Sequence, residues 1–222
     1  MAIRGVKDVY LVLYNLVQTV GWSMILYNVI MNYVNEQGPE MVWPKVGELL
    51  IIFQNAAVLE VVHSMIGLVR SPVITTFIQV LSRVMITYVC MVVPTCRVGY
   101  IFSLLMASWS IIEIVRYSFY AFSIVGINIY VHTWLRYTLF IVLYPSGVFS
   151  EIGTLYLALP YIKEHGLFGV SDYVVFPPFT FWELVVYFLI FIYLPGFPVM
   201  FGHMVKQRKK VIGGGNRKVK TK

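Results

Sequence analysis

The stretch RYTLFIVLYPSGVFSE, residues 136–151, decides how this chain is read. It is apolar enough to cross a membrane, yet it carries Tyr144 and ends on Glu151. Seven residues separate the two. That is about two helical turns, so both side chains fall on nearly the same face, roughly 10 Å apart along the axis. An ionisable group at membrane depth is costly and marks a functional site by default. A phenol and a carboxyl group facing one cavity are the smallest set that can take one proton and give another. Pro145 has no N–H for the carbonyl of Ile141, so a kink is expected between them, and interrupted helices at membrane depth line cavities or sites.

The rest of the chain agrees with a membrane reading. Of 222 residues, 59% are hydrophobic and 12% are charged, where a soluble domain carries about 25% charged residues. Six apolar stretches run roughly over 9–33, 46–69, 73–93, 98–122, 129–159 and 179–204. Each reaches the ~20 residues that a helix needs to span the hydrocarbon core. None alternates like a barrel strand, so helices are the spanning element. Turn signals separate them: NEQGP at 35–39, RSP at 70–72, the run from Pro94 to Arg97, Gly126 with Asn128, and the long connection 160–178. The expected fold is an all-α integral membrane protein, a six-transmembrane-helix bundle with a kinked fifth helix. Residues 1–205 form the transmembrane catalytic domain and 206–222 a basic cytoplasmic tail.

The net charge of +7 is an end effect. Eight of the 17 basic residues follow Val205, and the remaining nine face ten acids, leaving the body at −1. A body without a basic face argues against nucleic acid as partner. Arg4 and Lys7 precede the first span and Arg70 follows the second, whereas the first loop holds Glu36, Glu40 and Glu48 against Lys45. The Lys/Arg bias places both termini and Arg70 in the cytoplasm. The first span reads as an uncleaved anchor. Lys218 and Lys220 stand at −5 and −3, the pattern of a dilysine retrieval signal of endoplasmic-reticulum membrane proteins. The plainer alternative is a basic tail against anionic lipid. Cys90 and Cys96 read as membrane-buried thiols.

The charged residues to explain within the spans are Glu60, Arg83, Glu113, Arg116, Arg136 and Glu151, with His63 and Gln79 as neutral companions. Glu60/His63 and Glu113/Arg116 are i, i+3 pairs that either neutralise themselves or knit the bundle. Arg83 lies deep and needs a partner. Arg116 and Arg136, with Arg70, lie toward the cytoplasmic mouth, where guanidinium groups suit a phosphate-bearing ligand or simply snorkel to lipid. Tyr130, Tyr137, Tyr144 and Glu151 recur every seven residues as one stripe. No metal-ligand spacing, Gly-rich phosphate loop or nucleophile elbow is present, so neither metal nor cofactor is expected. A Cys-x5-Arg phosphatase signature starting at Cys90 fails, because position 96 is Cys and Arg97 comes one residue late.

The runs LEVVHSMIGLVRSP (59–72), WSIIEIVRYSFYAF (109–122) and WLRYTLFIVLYPSGVFSE (134–151) resemble the (3R)-3-hydroxyacyl-CoA dehydratases, also called protein-tyrosine-phosphatase-like proteins, with the look of the Pasticcino2-type plant members. The resemblance spans essentially the whole chain. It implies six spans with both termini cytoplasmic, residence in the endoplasmic-reticulum membrane, and the third step of very-long-chain fatty-acid elongation. In that step water leaves a (3R)-3-hydroxyacyl-CoA to give the trans-2-enoyl-CoA. The family's catalytic pair falls on Tyr144 and Glu151, and its further polar positions match Arg83, Arg116, Tyr117, Arg136 and Gly147. The condensing enzyme and reductases of the elongase are the implied partners.

Such an elimination needs a base for the C2 proton and an acid for the C3 hydroxyl. With ordinary pKa values of about 4.3 for Glu and about 10 for Tyr, the natural assignment makes Glu151 the base and Tyr144 the proton donor. The reverse stays open, with a desolvated, protonated glutamic acid and a tyrosinate stabilised by Arg136 or Arg116. The rival functions are a small-solute transporter, for which inverted repeats would be expected and none is seen, and a noncatalytic phosphatase-like scaffold.

Overall fold

A computed structural model describes residues 5–167, 174–176 and 179–213. It contains six helical passages long and apolar enough to cross a membrane. α1 (Val6–Val34) is the first. A 3-10 turn, Pro39–Met41, leads into α2 (Val42–Ala56) and α3 (Val58–Met65), which together make the second. α4 (Val73–Val92) and α5 (Tyr100–Val125) are the third and fourth, joined by the 3-10 turn Pro94–Arg97. α6 (Tyr130–Arg136) and α7 (Phe140–His165) share the fifth, and α8 (Phe181–Ile212) is the sixth. A short antiparallel pair, β1 (Val174–Phe176) and β2 (Phe179–Thr180), precedes α8.

The helix ends follow local chemistry. Pro72 occupies the N-cap of α4 in extended conformation and starts that helix. Gly126 ends α5 in the left-handed region (φ 88°), which a residue without Cβ enters at little cost. Thr180 and Glu183 form a reciprocal capping box at the start of α8. α8 continues through Ile212, so Lys206, Arg208, Lys209 and Lys210 ride on its last turns; the lysines of the retrieval pattern lie outside the described residues.

α5 is the central post. Half of its most apolar stretch is buried (50%), against 6% for α8. It packs along α1 and α7, and Phe102, Leu105, Met106 and Trp109 join Trp22 and Ile25 of α1 and Leu50 of α2 in the core. α8 packs chiefly on α7. The apolar side chains left outside, such as Val17, Val20, Tyr27, Phe188, Phe191 and Leu194, form the belt expected toward lipid.

Two interruptions differ from the sequence expectation. The fifth passage breaks at residues 137–139, ahead of Pro145, and α7 stays helical through Pro145. Tyr137 therefore caps α6 rather than joining Tyr144 on one continuous stripe, and Tyr130 is 71% exposed. The second break, at Ala57, has no Pro or Gly to announce it. There the Glu60 N–H bonds the Ala57 carbonyl, one residue short of the α-helical partner. The Ala56 carbonyl takes the Tyr14 hydroxyl instead, at 3.2 Å. A freed carbonyl at membrane depth needs such a donor.

Close approach of α1 to α2 depends on Gly21. A Cβ there would lie 2.2 Å from the Phe53 ring. Small residues of this kind let membrane helices pack at short range. Gly21→Val is expected to destabilise the bundle by about 1–3 kcal/mol, read as a lower unfolding temperature in detergent. An unchanged midpoint would show that Phe53 simply swings aside.

Candidate active site

α5 presents Trp109, Glu113, Arg116 and Tyr117 at i, i+4, i+7 and i+8, one face of the helix. Glu113 is 1% exposed and pairs with Arg83 of α4 and with Arg116, whose Nε donates at 2.7 Å. The same guanidinium donates two parallel bonds to Glu60 of α3, at 2.7 and 2.8 Å. Tyr117 donates its hydroxyl to Glu60 as well. Two arginines and two glutamates thus cancel inside the bundle, in the bidentate geometry that suits guanidinium and carboxylate. The bundle-knitting reading of Glu60 and Glu113 describes what forms. His63 plays no part in it and meets the Tyr10 hydroxyl at 2.8 Å.

This ion-pair chain leads to Glu151 through one ring. The Arg83 guanidinium lies 5.0 Å from the centre of the Trp109 ring. The Trp109 indole N–H donates to Glu151 Oε1 at 2.8 Å. Tyr193 of α8 donates to the other oxygen, Oε2, at 2.6 Å.

Tyr144 lies on the same side of α7 as Glu151, both turned toward α8. Its ring stacks on Phe197 at 5.2 Å, with 12° between the planes, and on Phe201 at 6.4 Å. Tyr193, Phe197 and Phe201 stand four residues apart on α8 and form one wall. Among the described residues no hydrogen bond holds the Tyr144 hydroxyl. Between the pair lies Gly147, i+3 from Tyr144 and i−4 from Glu151. It is buried, yet a methyl group at its Cα would meet no heavy atom within 4 Å. The face bearing the phenol and the carboxylate thus holds unfilled space at its middle.

The other expected site residues fall in two places. Arg83, Arg116 and Tyr117 belong to the ion-pair chain, and Arg83 has the partner it required. Arg116 has its donors committed to Glu60 and Glu113 rather than open at a mouth. Arg136 closes α6 and reaches the Tyr120 hydroxyl at 3.4 Å. Trp109 and Tyr193 were not singled out from the sequence. Trp109 precedes Glu113 by four residues, one turn on the same face, which is a signal the sequence carried, whereas nothing in the sequence around Tyr193 pairs it with Glu151. Among the described residues no group of His, Cys, Asp and Glu is arranged to hold a metal ion.

Residues 54–214 match the sequence profile of the family described as protein tyrosine phosphatase-like protein, PTPLA. The chain belongs to the PTPLA family. It is 41% identical to very-long-chain (3R)-3-hydroxyacyl-CoA dehydratase hpo-8 of Caenorhabditis elegans, covering 94% of this chain and 97% of that protein. It is 40% identical to the dehydratase PASTICCINO 2 of Arabidopsis thaliana, covering 96% of each. With very-long-chain (3R)-3-hydroxyacyl-CoA dehydratase 2 of Homo sapiens it shares 39% identity over 91% of this chain and 80% of that one. No solved structure matches the chain. The phosphatase-like part of the PTPLA name finds no support in geometry. Arg97 donates to the carbonyls of Cys90 and Met91 and lies over the Trp43 ring, and both cysteines are buried free thiols.

Removing one member of a buried ion-pair chain strands the others. Arg116→Met leaves Glu60 without its guanidinium partner and Glu113 with Arg83 alone. The expected loss is about 3–5 kcal/mol, seen as a large drop in unfolding temperature or in folded yield. A variant as stable as the parent would show the chain to be dispensable.

Proposed function

We infer that this PTPLA member is a very-long-chain (3R)-3-hydroxyacyl-CoA dehydratase, a carbon–oxygen lyase, with Glu151 as base and Tyr144 as acid. The names of relatives that match nearly the whole chain support the reaction class. The observation that carries the site is the unfilled space at Gly147, flanked on one helix face by a carboxylate and by a phenol whose hydroxyl has no hydrogen bond among the described residues. Substrate C2 and C3 bridge the two in that space. Glu151 takes the C2 proton, the C–H electrons become the C2–C3 π bond, and the C3–O bond breaks. The departing oxygen takes the Tyr144 proton and leaves as water. Return of the proton from Glu151 to Tyr144 resets the pair.

Hydrogen bonding favours this assignment over its reverse. An indole N–H can only donate, and the Tyr193 hydroxyl donates to the other oxygen, so both oxygens of Glu151 serve as acceptors, the pattern of a carboxylate. The Tyr144 hydroxyl, held by no hydrogen bond among the described residues, gives its proton to the leaving oxygen.

The acyl chain lies between α7 and α8 among apolar side chains, and the CoA phosphates stay at the end of the bundle where α6 begins and α8 finishes. Arg136 and the α8 residues Lys206, Lys209 and Lys210 supply positive charge there. Arg208 ties that end of α8 to Thr138, its Nε 3.4 Å from the threonine hydroxyl. Arg116 holds the bundle instead of the phosphates. The positive-inside rule makes this the cytoplasmic end, carrying both termini. Residence in the endoplasmic reticulum and contact with the condensing enzyme and reductases of the elongation cycle belong to the same reading.

Purified Tyr144→Phe and Glu151→Gln should each lose about 10²–10⁴-fold in kcat toward a long-chain (3R)-3-hydroxyacyl-CoA. Near-normal turnover in both would refute the assignment and revive the scaffold reading, while solute flux in liposomes would favour a transporter. Gly147→Ala, whose added methyl meets no heavy atom within 4 Å, should intrude on the reaction space, cutting kcat/KM by about 10²-fold while the unfolding temperature stays near that of the parent. Full activity would place the reacting carbons elsewhere.

A further inference from the structure

A carboxylate at the end of a two-carbon arm turns freely unless both of its oxygens are held. Glu151 is held at both. Trp109 binds Oε1 from α5 and Tyr193 binds Oε2 from α8, at 2.8 and 2.6 Å. The donors come from two helices that flank α7, so the carboxylate plane is set by the tertiary structure. Trp109 has in turn the Arg83 guanidinium over its ring. We propose that Tyr193 is a positioning residue for the dehydration, clamping one oxygen of Glu151 so that a remaining lone pair aims at the substrate C2 proton. The proposal rests on the reading of Glu151 as base.

The setting of Tyr193 explains why the clamp is needed. Pro195 and Pro198 lie inside α8 and deprive the carbonyls of Phe191 and Leu194 of their helical donors. The turn bearing Tyr193 therefore lacks two of its own backbone bonds. α8 also packs chiefly on α7 and is the least buried of the six passages. Among the contacts that locate it here are the hydroxyl of Tyr193 on Glu151 and the ring of Phe197 on Tyr144. The contacts lie one helical turn apart on α8. Docking of α8 thus orients the base and the acid together, and α8 supplies one wall of the space at Gly147. A carboxylate has about four acceptor sites, so two donors leave room for a proton from the substrate.

The test uses the full-length chain in lipid nanodiscs with (3R)-3-hydroxypalmitoyl-CoA as substrate. Tyr193→Phe removes one oxygen and keeps the ring. Loss of aim predicts a fall in kcat of about 10²-fold, with KM changed by less than about threefold because the phenol binds no part of the substrate. In a Glu151→Gln background, or Glu151→Asp if turnover of the glutamine variant is too low to follow, the same substitution should cost less than about twofold, since residues that act as a unit are non-additive. An unchanged kcat, a rise confined to KM, or an equal factor in both backgrounds would overturn the clamp. Near-normal turnover of Glu151→Gln would overturn the clamp and the base assignment together. An inactive Glu151→Gln beside a fully active Tyr193→Phe would overturn the clamp alone.

Discussion

Four full charges in the middle of a lipid-embedded bundle are tolerable only because they cancel at contact distance. Glu60, Arg116, Glu113 and Arg83 come from α3, α5 and α4 and form a continuous chain of ion pairs. Lone charges at such depth are strongly disfavoured, and buried pairs repay their desolvation only with good geometry and further hydrogen bonds. Here Tyr117 adds one such bond, and its ring lies 4.3 Å from the Arg116 guanidinium. The register of three helices is constrained at once, because sliding any of them by a turn would strand a charge.

The chain also sets the frame for chemistry. Arg83 lies over Trp109, and Trp109 reaches Glu151. Electrostatic packing on one side of α5 is thereby transmitted to the carboxylate on α7 through a single rigid ring. The break at Ala57 belongs to the same design. The shortened turn that bonds the Glu60 N–H to the Ala57 carbonyl brings that carboxylate to α5, and Tyr14 satisfies the carbonyl left over. Glu151 is thereby tied to α5 through Trp109 and to α8 through Tyr193.

Much of this was legible in residue order. The six spans emerged because hydrocarbon thickness and backbone hydrogen bonding leave few alternatives. Tyr144 and Glu151 stood out because a seven-residue spacing and membrane depth make them conspicuous. Arg83 demanded a partner for the same reason. The helix break at residues 137–139 contains neither Pro nor Gly and was not read from the sequence, whereas Pro145 lies inside α7. The break at Ala57 was silent, because it arises from Tyr14 and Glu60 finding partners on other helices, which no local pattern records.

Residue order alone determined the membrane environment, the helical class, the number of crossings and the pair on one face of α7. These follow from solvent, periodicity and spacing, all of them local properties of the chain. Tertiary structure decided which glutamate pairs with which arginine, that Arg116 is spent on Glu60 and Glu113, and that Trp109 and Tyr193 grip Glu151 from opposite helices. Those outcomes depend on distances between helices far apart in sequence, and such distances exist only once the bundle has closed.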